Sequence, residues 1–494
     1  TTNKPVWLTS LSKTEGDGGT AADQGTATLT KDVTDLLAKR NKELKEATAL
    51  GSAGAPYDLS TKGGSVSSRS TANSYLISAP GHYRIPLVYG NAIKNGATNA
   101  NSYISHAPTG TPNEPYVLRN FKDHAGANIN NPWIEKTHGG ANSGVNGAEV
   151  VWADAADLVH SPSIVHVSGE CFLDFEVTAA DIQSGNAVVA VTKGSGASKT
   201  VLWSWHLWFA PKDALDKIPV TNHQGIVYNF TKETLGWKPT QWSGSTYNKP
   251  RTVKVKVVQT IKNNGVAQET VINIIQNPGN VRKGATTLYQ FGRKDAFPGV
   301  ATSDLKAGGI TENAGDNMSI TNNIQNPDKF YIYGSSVWTN YGYYNLWSAD
   351  NTVTGGYNIG NDNPVVKTVY DPSPVGFKMP ANNAFTGFTT TGQNSTSQSE
   401  LNVDGTDDWQ QWTNNFGHNF WTNSSKTATI NFPVSGLRFY NDGSLNDVGY
   451  FGYFWAAVPN NTYYGCFLSF TSGGLSPLSL NTRTYGFAVR AVSE

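Results

Sequence analysis

Gly449-Tyr-Phe-Gly-Tyr-Phe-Trp-Ala-Ala-Val-Pro459, followed by Thr482-Arg-Thr-Tyr-Gly-Phe-Ala-Val-Arg-Ala-Val492, is the stretch whose reading decides the fold. Gly449, Gly452, Tyr453 and Trp455 set turn chemistry beside aromatic bulk. Tyr485 to Val492 alternates as a strand should, with Phe487 and Val489 on one face and Arg490 on the other. A chain closing on so regular a segment is expected to tie its end into a sheet. Within that sheet Trp455 is expected to fill core, and Arg490 to act as a fixed partner beside it.

The whole composition points the same way. Of 494 residues only 15% are charged, while Gly (50), Trp (14), Tyr (22) and Phe (20) are abundant. Aromatic residues fill sandwich cores and glycine turns strands back, whereas long helices draw on Leu, Glu, Lys and Ala. The chain therefore reads as mainly β, and is long enough for two or three domains. Formal net charge is zero, and beyond Pro278 twelve Lys+Arg face fifteen Asp+Glu. No polyanion-binding surface follows from that, so nucleic acid is not an expected partner. No apolar run approaches the ~20 residues that span a bilayer. The chain opens on Thr1-Thr-Asn3 with no leader peptide, as a processed or truncated product would. Cys171 and Cys466 have no metal or redox spacing, and no bridge between them is expected.

Along the chain, Thr30 to Leu50 reads as a helix capped by Thr30 or Asp32 and stopped by Gly51. Ala72 to Gly81 and His82 to Tyr89 read as a hairpin through Pro80-Gly81. Short strands recur at Glu149–Trp152, Ser163–Val167, Phe172–Val177, Ala187–Thr192 and Val201–Ala210, a spacing that suits a β-sandwich. Arg251 to Gln259 and Glu269 to Gln276 alternate around Asn263-Asn264-Gly265 as a second hairpin. Asn277-Pro-Gly-Asn280 breaks the pattern, and loops beyond it lengthen. Three segments are expected: 1–70, small and sandwich-like with one helix; 71–278, a β-sandwich; and 279–494.

Few residues advertise chemistry. In Val201-Leu-Trp-Ser-Trp-His-Leu-Trp-Phe209 the apolar residues occupy both faces, so the strand should be central and His206 a core residue rather than a catalyst. Asp404-Gly-Thr-Asp-Asp408 and Asp442-Gly-Ser-Leu-Asn-Asp447 carry oxygen donors suited to Ca²⁺, the one candidate cofactor, though both also read as plain turns. Glu400, Asp407 and Asp408 have no spacing that would mark a glycosidase pair. No nucleophile elbow, phosphate loop, dinucleotide fingerprint or zinc-protease motif occurs, so catalysis is not expected. Aromatic clusters are the better lead. Trp338, Tyr343, Tyr344 and Trp347 form one, interleaved with Asn and Gly, and Trp409 and Trp412 belong to another. Exposed rings would stack on sugar C–H faces beside amide donors, and these six are the candidate ligand contacts. Buried, the same rings would simply be core.

Lys367-Thr-Val-Tyr-Asp-Pro-Ser-Pro-Val-Gly-Phe-Lys-Met-Pro380, Gly452-Tyr-Phe-Trp455 and Tyr485-Gly-Phe-Ala-Val-Arg490 together resemble the Fibrobacter succinogenes major paralogous domain. That family is common in surface proteins of Bacteroidetes and Fibrobacteres, and the resemblance runs from about Gly284 to Glu494. It departs at Ser373, where the family often has cysteine. The resemblance implies an α+β, loop-rich fold related to C-type-lectin-like and formylglycine-generating-enzyme domains. The enzyme's cysteine pair is absent, because Cys466 is alone in this region, and so are the calcium–sugar triplets of true C-type lectins. Upstream, Thr71 to Tyr83 and the tryptophan strand are similar to fimbrillin-like or adhesin-like modules. Trp7 to Gly16 resembles the start of a small immunoglobulin-like domain.

The expected protein is thus an exported, non-catalytic adhesin at the cell surface or outer membrane. Its sandwiches would form a stalk, and its lectin-like head would bind an extracellular glycan or a surface protein. Two rivals stand beside it: a pilus subunit that exchanges a strand with its neighbours, and a polysaccharide hydrolase or accessory protein.

Overall fold

The computed structural model describes residues 4–494 except 248, 262, 263, 335–337, 339, 340 and 406–408, and only the backbone of 409 and 410. Strand accounts for 37% of residues and helix for 11%, so the protein is mainly β. The chain divides into two compact units, and neither is one of the three expected segments. One comprises residues up to 39 with 241–282; the other comprises 40–240 with 283–494.

The larger unit is organised by the tryptophan strand. Thr200–Phe209 pairs antiparallel with Gly185–Lys193 and parallel with Ser74–Ile77, and Gly147–Ala153 and Ala307–Gly308 complete the sheet. Trp203, Trp205, Leu207 and Phe209 face one hydrophobic core, shared with the sheet of His160–Val167, Glu170–Val177, Gly81–Pro86 and Tyr57–Asp58. Trp208, with Val188 and Trp152, faces a second core made largely by the C-terminal half. A sheet covered on both sides needs apolar residues on both faces, which is what this sequence carries.

The expected break after Pro278 lies close to the passage between units at 282/283, but it does not divide a 71–278 body from a 279–494 body. Ala307–Gly308 joins the tryptophan sheet, and Val227–Thr231 shares another sheet with Phe377–Lys378 and Val492–Ser493. The composition change there comes just before the chain returns from the smaller unit to the larger one at 283. Segment 284–494 therefore has no closed core of its own.

Three local expectations are also corrected. The helix is Leu36–Glu46, not Thr30–Leu50: Asp35 Oδ1 accepts from the Ala38 amide at 2.9 Å, and Val33–Asp35 is a strand. Asp32 lies at φ 42°, incompatible with a helix, and its carboxylate takes Arg251 instead. Ser74–Ile77 and Gly81–Pro86 form no hairpin, because Pro80-Gly81 carries the chain from one sheet to the other. Gly81 is needed at that crossing: a Cβ would stand 1.9 Å from the Leu50 carbonyl oxygen. The closing segment, finally, is two short strands. Gly486–Ala488 lies parallel to Gly452–Pro459 and antiparallel to Leu288–Gln290, inside a seven-stranded sheet. Val492–Ser493 leaves for a different sheet, and Arg490 sits at the bend between them.

Long loops in this unit leave backbone carbonyls without strand partners, and buried carbonyls need donors. Buried arginines supply them. Arg293 donates to Lys329 O and Asn326 O at 2.6 and 2.7 Å, and Arg438 donates to Pro298 O, Gly443 O and Val300 O at 2.8–3.0 Å. Arg483 holds Tyr343 O and Asn461 O, both at 2.6 Å. The guanidinium fork, with five N–H groups in fixed directions, is the side chain best shaped for this work.

The smaller unit contains Leu8–Leu11 paired with Ala27–Leu29, and a separate ribbon of Arg251–Val258 against Glu269–Gln276. The ribbon runs in unbroken register from Arg251↔Gln276 to Val258↔Glu269, as the alternation predicted.

Candidate functional site

The six candidate contacts do not form one exposed platform. Trp347 has no accessible surface; its Nε1–H donates to Tyr370 O at 3.1 Å and its ring packs on Phe291. Trp412 is buried against His418 and Phe470. Tyr344 is buried beneath Tyr116, and Tyr343 is half-buried against the first core. The Trp409 side chain lies outside the described residues. Most of the set is core because a loop-rich domain has little regular structure with which to exclude water, and large rings fill the gaps.

Trp338 is the exception that leads to a site. It is buried, with its Nε1–H on Ile332 O at 3.2 Å, yet it lines a surface indentation together with Tyr333, Thr462, Tyr463, Thr482, Arg483 and Thr484. The indentation is shallow and opens to solvent. Tyr333 and Tyr463 are 39% and 45% exposed. Tyr333 is steadied edge-on by Tyr440 at 5.8 Å. The Thr482 and Thr484 hydroxyls stand 3.0 Å apart on the two sides of Arg483. Arg483 is fully buried under Phe291 and Tyr344, and its Nε has no hydrogen-bond partner in the protein. Burial lowers its pKa, but the group stays cationic at neutral pH.

Two of these positions had a signal in the sequence. Asn460-Asn-Thr-Tyr-Tyr464 is a turn with two adjacent tyrosines, and Thr482-Arg-Thr484 places a cation between hydroxyls. What could not be seen is that Tyr333, far upstream, lies with them. The fold joins them through the Arg483 amide on Tyr463 O at 2.9 Å and the Tyr333 amide on Tyr440 O at 2.7 Å.

Chemistry elsewhere is muted. His206 is a core histidine: Nε2 meets Asn186 Oδ1 at 2.9 Å, Nδ1 meets Ser74 Oγ and Tyr289 OH at 3.2 Å each, and burial pushes its pKa down to about 3. The Ser74–His206 contact has a nucleophile–base look, but Ser74 has no accessible surface and its hydroxyl donates to Pro372 O at 2.6 Å. Both cysteines are free, and burial pushes each thiol up to about 12. Of the two acidic turns, Asp442 Oδ1 is engaged by the Ser444 amide and hydroxyl, and Tyr453 OH donates to Asp447 Oδ2. Asp407 and Asp408 lie outside the described residues, while Asp404 and Glu400 lie within them.

Comparison with known proteins adds one finding. Residues 417–492 match a domain of unknown function (DUF8237). The match covers much of the C-terminal sheet, including Trp455, Tyr463, Arg483 and Arg490. Neither the curated proteins nor the solved structures contain a match to the chain. Among the described residues no helix is long and apolar enough to cross a membrane.

Proposed function

We propose that this protein is a non-catalytic adhesin of the cell surface that binds an extracellular glycan through the Tyr333–Tyr463 indentation. The observation that carries the reading is the lining itself: two exposed phenol rings, a tryptophan, threonine hydroxyls and a buried guanidinium. Rings receive the C–H face of a sugar, and hydroxyls and N–H groups receive its oxygens. The indentation's cavity volume of about 10 Å³ is far below the ~300–1,000 Å³ usual for enclosed small-molecule sites. A glycan would therefore lie across its rim, against the two exposed tyrosines, rather than enter it. Among the described residues the lining has no carboxylate, histidine or cysteine, which supports reading it as a binding surface.

The test is a glycan array with the full chain, followed by calorimetry on any hit. Tyr463→Ala and Tyr333→Ala should each weaken binding at least tenfold, about 1.4 kcal/mol. Both rings are substantially exposed, so the variants keep the fold. Silence across the array, or affinity unmoved by both substitutions, ends this reading.

One observation favours the pilus alternative. The Arg251–Val258/Glu269–Gln276 ribbon pairs with no third strand among the described residues. Val253, Val255, Val257, Ile272 and Ile274 share one face, and Val257 and Ile272 are about half exposed. A two-stranded ribbon with open edges and an apolar face is a template for an added strand. On this reading the full chain self-associates as concentration rises, and Ile272→Lys disperses it. A sedimentation profile of pure monomer at high concentration would remove the alternative.

A further inference from the structure

We propose that Glu135, His166 and Cys171 form a binding site for a zinc ion. The site is built from the bottom up by a hairpin. His166-Val-Ser-Gly-Glu-Cys171 turns through Ser168 and Gly169, both at positive φ (51° and 77°), the geometry of a two-residue type I′ turn. That turn fixes Val167 opposite Glu170 and, one step further in, His166 opposite Cys171. Residues directly opposed in an antiparallel pair project from the same face with Cβ atoms ~5 Å apart. The imidazole and thiol are therefore neighbours by construction, though the spacing of the cysteines along the chain says nothing of it.

The third donor comes from a loop clamped onto the same sheet. The Ile134 amide donates to Leu87 O at 2.9 Å, and the Tyr89 amide to Pro132 O at 3.0 Å, which sets Glu135 beside the hairpin. Glu135 Oε1 accepts from the Val145 amide at 2.8 Å, leaving Oε2 to meet His166 Nε2 at 3.0 Å. The Val145 amide on Oε1 is the kind of orienting contact that metal-binding carboxylates commonly have. One donor atom from each of the three residues lies within 4.8 Å of the others.

Those separations suit a small tetrahedral ion. With bonds of ~2.0–2.3 Å, the ligand atoms around zinc lie roughly 3.3–3.8 Å apart. From separations of at most 4.8 Å, that spacing asks for donor-atom displacements of about an ångström. One sulfur, one nitrogen and one oxygen form a mixed set that zinc accepts, whereas Ca²⁺ and Mg²⁺ require oxygen alone. Cys171 would bind as the thiolate, its proton passing to solvent. Cys171 is buried while the His166 side chain is 53% exposed, and His160–Val167 is the edge strand of its sheet. The fourth position therefore faces solvent on the histidine side and takes a water.

The experiment uses the full chain, stripped with chelator and titrated with Zn²⁺ by calorimetry and with Co²⁺ by absorption. One equivalent of Zn²⁺ should bind, and Co²⁺ should give a thiolate-to-cobalt charge-transfer band in the near ultraviolet. Cys466→Ser should keep the band and Cys171→Ser should abolish it. His166→Ala, at a half-exposed position that folding tolerates, should weaken Zn²⁺ binding by at least ~100-fold, beyond the 10–100-fold typical of outer-shell partners. Absence of the band in the parent chain, its survival in Cys171→Ser, or unchanged zinc affinity in His166→Ala would each overturn the proposal.

Discussion

Trp455→Ala is expected to lower the unfolding free energy of the full chain by about 3–5 kcal/mol. The indole has no accessible surface and is enclosed by Phe487, Phe291 and Phe467, with ring centroids at 4.4, 5.4 and 5.7 Å. Its Nε1–H also donates to Tyr289 O at 2.7 Å. Truncation opens a cavity at the centre of the seven-stranded sheet and removes that donor together. Against a total stability of ~5–15 kcal/mol, a loss of this size leaves much of the protein unfolded or aggregated. Trp455→Phe fills most of the space and forfeits chiefly the hydrogen bond, so it should cost about 1–3 kcal/mol. Urea unfolding followed by circular dichroism separates the two. A loss below ~1 kcal/mol for the alanine variant would mean that the sheet does not depend on this ring.

Arg490→Met should cost about 3 kcal/mol, and Arg490→Lys nearly as much. The guanidinium donates from Nε to Thr231 O at 2.8 Å, from Nη1 to Thr234 Oγ1 and Asn431 O at 2.9 and 3.0 Å, and from Nη2 to Lys232 O at 2.5 Å. It lies 4.8 Å from the Phe432 ring centre and is 1% exposed. One side chain thus ties the C-terminus to a loop near residue 232 and to the strand Thr429–Pro433. Methionine fills the channel but orphans buried carbonyls, each worth ~1–3 kcal/mol. Lysine keeps the charge but cannot reach partners in four directions from one ammonium. A lysine variant as stable as the parent would show that charge, rather than the planar fork, is what matters here.

The two substitutions bear on how much was legible beforehand. Trp455 as core and Arg490 as a fixed partner were both readable, because Gly-Tyr-Phe-Trp and Gly-Phe-Ala-Val-Arg alternate as local strand patterns. The mainly β class, the central tryptophan strand and the Arg251–Gln276 ribbon were readable for the same reason. His206 was readable as core because apolar residues flank it on both faces of its strand. A passage between units near 278 was readable, but which segments share a body was not. Asn277-Pro-Gly-Asn280 looks like a boundary, but whether a chain leaves a body for good or returns to it depends on pairings such as Ala153 with Ala307 and Phe230 with Val492.

The aromatic clusters divide along the same line. A tryptophan in a run of Asn and Gly has one appearance whether it stacks on a ligand or fills a loop-rich core, and burial decides between them. Trp347 and Trp412 went inward, while Tyr333 and Tyr463, less conspicuous in sequence, surround the indentation. The Glu135–His166–Cys171 cluster was invisible for a related reason. Its histidine and cysteine share a hairpin, but the glutamate arrives from a loop 31 positions before His166, placed by backbone bonds to Leu87 and Tyr89.

By itself, then, the sequence determined what depends on near neighbours: strand periodicity, turn chemistry, the inward aromatic faces and the want of catalytic motifs. Tertiary structure alone decided which distant segments share a sheet, where the body divides, and which polar or aromatic groups meet at a surface. Local patterns are set by steric and solvation preferences acting over a few residues. Convergence of remote segments is set by which pairing buries the most apolar area while leaving the fewest carbonyls unpaired, and that is a property of the whole chain.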